Sequence, residues 1–214
     1  MNEPRGTIRI LSWNLLHSVG AVVDDVAALV ESERPDLLVM QEVTPAIDAL
    51  PALIGGFYAR QDWPGRRHGL AAWCRHRTHG SDPLALPWSR LPGRLPQRFA
   101  QLLRLDALTV ANVHLSHGQV LNRRQLQRIA RSTCGPTAII GDFNSLGPIV
   151  LRGFVDVGPS GHTHRAQRLV PFRLDRCMAR QLACVEARTL HRGPSDHHPI
   201  CLDFQTPHGS GPSR

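Results

Sequence analysis

Five short polar strings divide this chain, and each one ends or follows an apolar run of the length typical of a buried β-strand. Together they carry amide, carboxylate and imidazole side chains. Strand ends meet at one edge of a sheet, so residues that are distant in sequence can lie together there. The pattern therefore predicts a hydrolase site at such an edge. In chain order the strings are Ser12-Trp13-Asn14, Gln41-Glu42, Asn112-Val113-His114-Leu115, Gly141-Asp142-Phe143-Asn144 and Ser195-Asp196-His197-His198-Pro199.

The periodicity of the apolar residues predicts an α/β fold. Residues 24–33 and 119–132 carry apolar side chains at helical spacing. The other apolar runs are short or alternate with polar residues, as strands do. Many short strands broken by few helices fit two sheets packed face to face with helices outside. The prolines between residues 76 and 97 exclude a central strand there, and we interpret that segment as a loop.

The length of 214 residues is enough for one substantial core, and nothing forces a second domain. We predict a single catalytic domain over residues 1–206 and a disordered tail over residues 207–214, which are rich in Gly, Pro and Ser. No apolar stretch reaches the roughly 18 residues of a membrane span, and the first residues do not have the pattern of a secretory signal. We therefore expect a monomeric, cytoplasmic protein without a transmembrane segment.

The order of the five strings resembles that of a known superfamily. WN, QE, N-x-H-L, GDFN and S-D-H-x-P, spread from residue 12 to residue 199, look like the motifs of the endonuclease/exonuclease/phosphatase superfamily. These are metal-dependent phosphodiesterases similar to deoxyribonuclease I. The resemblance implies a four-layer α/β sandwich, with two mixed β-sheets face to face and helices outside, over roughly residues 7–204. It also implies hydrolysis of phosphodiester or phosphomonoester bonds.

A hard divalent cation fits a site with few carboxylates and oxygen ligands. We expect Mg²⁺, with Mn²⁺ as a possible substitute. Glu42 is the leading ligand, and the resemblance places Asn14 beside it and Asp196 in the metal region. Their other interpretations are a solvated charge at a strand end for Glu42 and a turn residue for Asn14.

The resemblance also assigns catalytic roles. Asp142 would orient or deprotonate the attacking water, and Asn144 would contact phosphate or hold Asp142. His197 would touch the scissile phosphate or act as general base, and His114 would contact phosphate or protonate the leaving group. Asp175, in a string that resembles the R-hydrophobic-D motif, would stand behind His197 and fix its tautomer.

Several alternatives stay open for single residues. Asp175 could instead pair with a neighbouring arginine, and the Asp142 string could be an Asx turn. His198 fills a variable position and is expected to be structural. The H-x-H pair of His162 and His164 could ligate zinc, but the longer run of metallo-β-lactamase-like hydrolases is absent. Thr163 fits the threonine that precedes the R-hydrophobic-D strand in relatives.

The charge distribution bears on the substrate. Residues 1–50 hold 3 arginines and 8 acids, whereas residues 51–214 hold 22 arginines and 9 acids. Such a basic body favours a polyanion, although it also fits an arginine-rich solvated surface. One loop region mixes aromatic and cationic side chains, which suits single-stranded nucleic acid. These residues are Trp63, Arg66, Arg67, Trp88, Arg90, Arg94 and Arg98, and we predict that Arg66, Arg67, Arg90 and Arg94 bind substrate.

Three functions remain possible at this point. The first is a nuclease acting on DNA or RNA. The second is a phosphodiesterase or phosphatase for phospholipids, inositol phosphates or other small molecules, with the same loop on an anionic head group. The third is an inactive phosphate-binding module, which the sequence disfavours because every matched catalytic position is occupied.

Overall fold

The computed structural model describes residues 6–17, 19–88, 97–166 and 170–206. Its described residues form strands and helices in a mixed order along the chain. The strands are β1 (Thr7–Asn14), β2 (Leu37–Val43), β3 (Phe57–Asp62), β4 (Gly69–Cys74), β5 (Gly80–Ala85), β6 (Phe99–Arg104), β7 (Thr109–His114), β8 (Thr137–Asp142), β9 (Val155–Asp156), β10 (His164–Ala166), β11 (Val170–Phe172), β12 (Asp175–Arg180), β13 (Cys184–Thr189) and β14 (Ile200–Gln205). The helices are α1 (Val23–Glu33), α2 (Leu50–Ile54) and α3 (Gln119–Ser132), with a 3-10 turn at Pro45–Ala49.

Twelve of these strands form two six-stranded mixed sheets. The strand order is β13-β14-β1-β2-β4-β3 in the first sheet and β5-β6-β7-β8-β12-β9 in the second, while β10 and β11 form a separate hairpin. Each sheet has one parallel pair at its centre, β1 with β2 and β7 with β8. The remaining pairs are antiparallel. Because the two strands of each central pair run in the same direction, they end at the same edge of their sheet.

The central strands bury both faces. In β1, Ile10 packs between the sheets, while its neighbour Leu11 packs on the outer side with Val26 and Val30 of α1. This alternation follows from the two-residue period of a strand. On the other outer face, Leu126 of α3 packs with residues of the second sheet. The four-layer sandwich with helices outside, predicted from the sequence, is confirmed.

One local prediction is wrong in part. Gly80–Ala85, assigned to the proline-rich loop, is a strand that pairs with β6. It lies at the edge of its sheet, where the missing N–H of Pro83 is tolerated. β11 ends at Phe172 and β12 begins at Asp175, so Asp175 is the first residue of a strand that pairs with β8.

A polar cluster ties the two sheets together inside the core. Asn112 donates to the carbonyls of Met40 and Ala71 at 3.1 Å each, and to Oε1 of Gln101 at 3.1 Å. Its own Oδ1 accepts from Nε2 of Gln41 at 2.8 Å. All of its hydrogen-bonding groups are thus engaged although the side chain is fully buried.

No helix in the described part of the chain is long and apolar enough to cross a membrane.

Candidate active site

The predicted residues meet at one edge of the sandwich. β1, β2, β7 and β8 end there, and β12 begins there. In the second sheet, His114 is level with Asp142, and Asp142 is level with Asp175 on the other side. The first sheet delivers Asn14, which reaches across to Asp142. The site is therefore built on rigid strand ends from both sheets.

Asp142 lies at the centre of this group. Its Oδ2 accepts hydrogen bonds from Nδ2 of Asn14 at 3.2 Å and Nδ2 of Asn144 at 3.3 Å, and Oδ1 accepts from the backbone N–H of Asn144 at 2.9 Å. The side chain is almost wholly buried. Burial raises the pKa of Asp142 to about 6, although the nearby His197 acts in the opposite direction. A carboxylate with this pKa can accept a proton near neutral pH.

A buried carboxylate stands behind His197. Nδ1 of His197 is 2.8 Å from Oδ2 of Asp175, and Asp175 has no exposed surface. The backbone N–H of Asp175 donates to Oγ1 of Thr163 at 2.8 Å, which fixes the start of the strand. Burial alone would lower the pKa of His197, but the charges of Asp175 and Asp142 raise it to about 10. The ring is therefore protonated at neutral pH.

The alternative pairing of Asp175 with an arginine is wrong. Arg173 and Arg176 both pair with Asp156, through contacts of 2.7 Å and 3.0 Å. His198 does not compete for Asp175 either, because its Nδ1 lies 2.9 Å from the carbonyl of Leu190. The structural role expected for His198 stays a prediction.

Glu42 is presented by an irregularity in β2. The pairing of β2 with β4 shifts register between Gln41 and Val43, and Glu42 has φ of 57°. A bulge of this kind turns one side chain out of the alternating pattern, and a positive φ is uncommon outside glycine. The carboxylate is held by His17, whose Nδ1 lies 2.5 Å from Oε2. Burial would raise the pKa of Glu42, but the hydrogen bonds from His17 outweigh it and lower the pKa.

His114 lies between the two carboxylates. Its Nε2 is 3.4 Å from Oδ2 of Asp142 and 4.0 Å from Oε1 of Glu42. Burial and the positive charge of Arg98 hold the pKa of His114 well below its usual value. Arg98 donates from Nη1 to the carbonyl of His114 at 2.9 Å. The imidazole is therefore neutral and can offer one N–H to a ligand.

The oxygen donors at this edge fit a hard divalent cation. The low pKa of Glu42 keeps its carboxylate ionised, and no hydrogen bond reaches its Oε1 from any residue that the structure describes. Oδ1 of Asp196 is buried and also lacks a partner within the described ranges. Oδ2 of Asp196 lies 3.4 Å from Nε2 of His164, and Oδ1 lies 4.0 Å from Nε2 of His197. Unpaired carboxylate oxygens are the ligands that Mg²⁺ prefers.

Glycine is required in the GDFN string. Gly141 has φ of 142°, and a Cβ there would lie 2.0 Å from the carbonyl oxygen of Val113 on β7. Because β7 and β8 approach so closely, any side chain would push His114 and Asp142 out of register.

Sequence reasoning missed three histidines of the site. His17 holds Glu42, and the ring of His68 stacks on His17 with centroids 4.2 Å apart. His164 packs against His197 at 4.5 Å between ring centroids. None of the three belongs to a recognised string, and only His164 had a signal, as part of the H-x-H pair. His162 of that pair instead meets the edge of His198.

The loop predicted to bind substrate is only partly exposed. Arg66 and Arg67 lie in the connection between β3 and β4, with Arg67 exposed and Arg66 half-buried. Trp63 cannot serve as a stacking platform, because it is buried and packs on His68 and His114. Arg98 is buried as well, whereas Trp88 is 53% exposed. Arg90 and Arg94 lie outside the described residues.

A shallow groove runs beside the site. Its lining includes His117, Asn144, Leu146 and Phe172. Asn144 is shared with the Asp142 cluster, where it donates to the carbonyl of Leu115 at 2.9 Å. The groove therefore leads directly from the strand-end cluster to a mainly apolar surface.

Solved structures share this fold over most of the chain. A protein of unknown function from Enterococcus faecalis V583 is 20% identical, with a TM-score of 0.74 over 94% of this chain and 100% of its own. D. rerio TDP2, solved in complex with a single-stranded DNA product, is 16% identical, with a TM-score of 0.74 over 94% of this chain and 99% of its own. Truncated TDP2 from Caenorhabditis elegans is 18% identical, with a TM-score of 0.70 over 93% and 97%. At these identities the likeness concerns the fold.

The sequence itself decides the family. No curated protein matches the chain significantly in sequence. The profile of the Endonuclease/Exonuclease/phosphatase family, however, matches residues 11–197, a range that begins before Asn14 and ends at His197. Membership supports a phosphoesterase of the phosphodiesterase or nuclease type. The chain belongs to the endonuclease/exonuclease/phosphatase family.

Proposed function

We propose that this protein is a divalent-metal-dependent nuclease that hydrolyses phosphodiester bonds by attack of water. The observation that carries the proposal is the buried Asp142, which lies within 4 Å of His114 and His197 and accepts a hydrogen bond from Asn14. Hydrolysis of a phosphodiester needs a base for water and positive charge for the phosphoryl oxygens. This cluster supplies a base and an imidazolium within one small volume.

Glu42 and Asn14 would hold Mg²⁺ through their side-chain oxygens, and Asp196 would accept a hydrogen bond from a water of the ion. Mg²⁺ usually keeps several waters, so few protein ligands are needed. When bound, such an ion neutralises charge on the phosphoryl oxygens and stabilises the leaving oxygen. Mn²⁺ is expected to substitute, because it also accepts oxygen ligands.

The remaining residues act on the attacking water and on the oxygens of the phosphate. Asp142 accepts the proton of the attacking water, and Asn144 fixes the orientation of its carboxylate. His197, protonated and backed by Asp175, donates from Nε2 to a phosphoryl oxygen as negative charge develops. A protonated ring cannot act as the general base, so this role belongs to Asp142. His114 contacts phosphate through its N–H, because a neutral imidazole with a low pKa is a poor donor of protons to a leaving group.

Nucleic acid is the proposed substrate class. Arg66 and Arg67 belong to a loop beside Trp63, which packs on His114 of the site. The groove next to Asn144 offers an apolar surface for an unpaired base. D. rerio TDP2, which has the same fold, was solved with a single-stranded DNA product. The net charge of +8 further favours a polyanion.

A substrate panel tests this proposal. Single- and double-stranded DNA, RNA, phospholipids and inositol phosphates are offered separately with Mg²⁺ and with Mn²⁺. We expect cleavage of nucleic acid by the parent protein and none above background by Asp142→Asn, which serves as the blank. Turnover of phospholipid or inositol phosphate without cleavage of nucleic acid would replace the nuclease with the small-molecule or lipid phosphoesterase. No turnover of any member would favour an inactive binding module.

A further inference from the structure

Three side chains of types that can bind a metal, His164, Asp196 and His197, lie together beside the Asp142 cluster. Nε2 of His164 is 3.4 Å from Oδ2 of Asp196, and Nε2 of His197 is 4.0 Å from Oδ1 of the same carboxylate. One ligand atom from each residue lies within 4.8 Å of the other two. Ligand atoms around a tetrahedral zinc are about 3.3 Å apart, from Zn–N and Zn–O distances of about 2.0 to 2.1 Å. Small side-chain rotations would close this set around one ion.

The backbone holds the two contributing segments side by side. His164 forms an isolated β-bridge with His197. The N–H of Arg165 donates to the carbonyl of Asp196 at 3.0 Å, and the N–H of His198 donates to the carbonyl of Thr163 at 2.6 Å. The ligand residues are thus placed by hydrogen bonds on both sides of the bridge. A site on such a frame loses little conformational freedom when an ion binds.

One observation indicates that the set is incomplete without a ligand. Oδ1 of Asp196, the oxygen nearer Nε2 of His197, is buried and has no hydrogen-bond partner in the described part of the chain. His197 has its Nδ1 bonded to Asp175, whereas its Nε2 lies 3.9 Å from Oδ2 of Asp142 and 4.0 Å from Oδ1 of Asp196. A histidine bonded through one nitrogen to a carboxylate, with the other nitrogen directed to the ion, is the arrangement found at zinc sites.

We propose that His164, Asp196 and His197 form a second metal site, selective for Zn²⁺ over Mg²⁺. Two imidazoles and one carboxylate suit a borderline-soft ion, whereas Mg²⁺ prefers oxygen ligands throughout. A water would complete the coordination of the ion. The H-x-H pair noted in the sequence contributes only its second histidine, and the other two ligands come from the S-D-H-x-P string.

Occupation of this site would inhibit the hydrolase. Zn²⁺ bound there would occupy Nε2 of His197, so this nitrogen could no longer contact a phosphoryl oxygen, and any proton on it would be released to solvent. The inhibition rests on the proposed role of His197, whereas the binding of zinc does not. Binding is therefore measured directly, and its failure is distinct from a failure of the proposed nuclease.

The test is calorimetric titration of metal-free protein with Zn²⁺ at pH 8, with Mg²⁺ in large excess to occupy the oxygen-ligand site. The parent should bind one Zn²⁺, and His164→Ala should weaken this binding tenfold or more. Asp196→Asn, which keeps the size of the side chain, should weaken it as well and serves if His164→Ala fails to fold. Co²⁺ gives a second readout, since a four-coordinate ion has intense visible bands that should be lost in either variant.

Two matched control variants exclude other zinc ligands, and His17→Ala tests binding beside Glu42. His162→Ala removes a nearby exposed histidine, and Cys134→Ser removes an exposed thiol. Both should bind Zn²⁺ like the parent. Unchanged Zn²⁺ affinity in His164→Ala and Asp196→Asn would overturn the proposal. A loss confined to His17→Ala would also overturn it, because the ion would then lie with Glu42.

Discussion

His197 and Asp175 form a buried pair, with Nδ1 and Oδ2 2.8 Å apart and both side chains closed to solvent. Asp175 begins a strand in one sheet, whereas His197 precedes a strand of the other sheet. The pair therefore joins the two sheets at the edge where the central strands end. It also holds a positive charge that the proposed mechanism places beside a phosphate.

This pair should act as one unit. His197→Ala is expected to lower kcat by a factor on the order of 10² to 10⁴, and Asp175→Asn should reproduce most of that loss. The double variant should lose little more than either single variant, because both remove the same imidazolium. His198→Ala is the matched control and should keep nearly the parent rate. Additive losses in steady-state kinetics would show that Asp175 acts independently of His197.

The same pair predicts a pH dependence of stability. The pKa of His197 is raised to about 10, above its usual value of about 6.5. The protonated ring therefore stabilises the fold fully below about pH 6.5, and this contribution is lost as the pH rises through about 10. Urea denaturation from pH 6 to 10 should show a fall in the free energy of unfolding that is smaller in Asp175→Asn. Equal falls in the two proteins would be inconsistent with a charged pair.

Replacing Asp142 should abolish activity but increase the stability of the fold. Its pKa is raised to about 6 by burial, so ionisation disfavours the fold and stability is lost as the pH rises through about 6. Asp142→Asn should therefore unfold at higher urea than the parent at pH 7, while its hydrolysis falls to background. In the parent, kcat/KM should decrease below about pH 6, where the base is protonated. A destabilised Asp142→Asn would contradict a pKa raised by burial, and a still active Asp142→Asn would remove Asp142 as the base.

The arginines predicted to bind substrate should strengthen nucleic acid binding by neutralising phosphates. Replacing four of them with alanine should weaken binding and make the slope of log K against log salt shallower, by about 0.7 for each phosphate of a single strand that is no longer neutralised. The control removes the same charge from exposed positions of α3 and should keep the parent slope. If both variants had the same slope of log K against log salt, the result would favour a lipid or small-molecule substrate. The test set is Arg66, Arg67, Arg90 and Arg94, and the control set is Arg123, Arg124, Arg128 and Arg131.

Much of the site could be predicted because its residues follow strands. Asn14, Asp142 and His114 come directly at the ends of buried apolar runs, and central strands end at a common edge. The position of Glu42 could not be derived in the same way, because a bulge and a positive φ present it. Whether a bulge forms depends on the partner strand, which a local pattern does not contain.

The residues that were missed depend on long-range contacts. His17 meets Glu42 across 25 positions, and His164 meets His197 through an isolated bridge. The burial of Trp63 was equally hidden, since it results from packing against His114 in the other sheet. The aromatic and cationic residues near one another in sequence therefore predicted an exposed binding surface. In the structure, Trp63 is instead buried against His114.

The most direct test of a metal-dependent nuclease is to measure turnover against Mg²⁺ concentration, with and without the carboxylate of Glu42. Cleavage of a labelled single-stranded oligonucleotide is followed while Mg²⁺ is titrated into the parent, Glu42→Gln, and Glu31→Gln as a control with an exposed carboxylate. We expect cleavage by the parent that EDTA abolishes, a much higher Mg²⁺ requirement in Glu42→Gln, and the parent curve in Glu31→Gln. Full cleavage by the parent in excess EDTA, or the same Mg²⁺ curve in Glu42→Gln, would contradict a metal-dependent nuclease at this site.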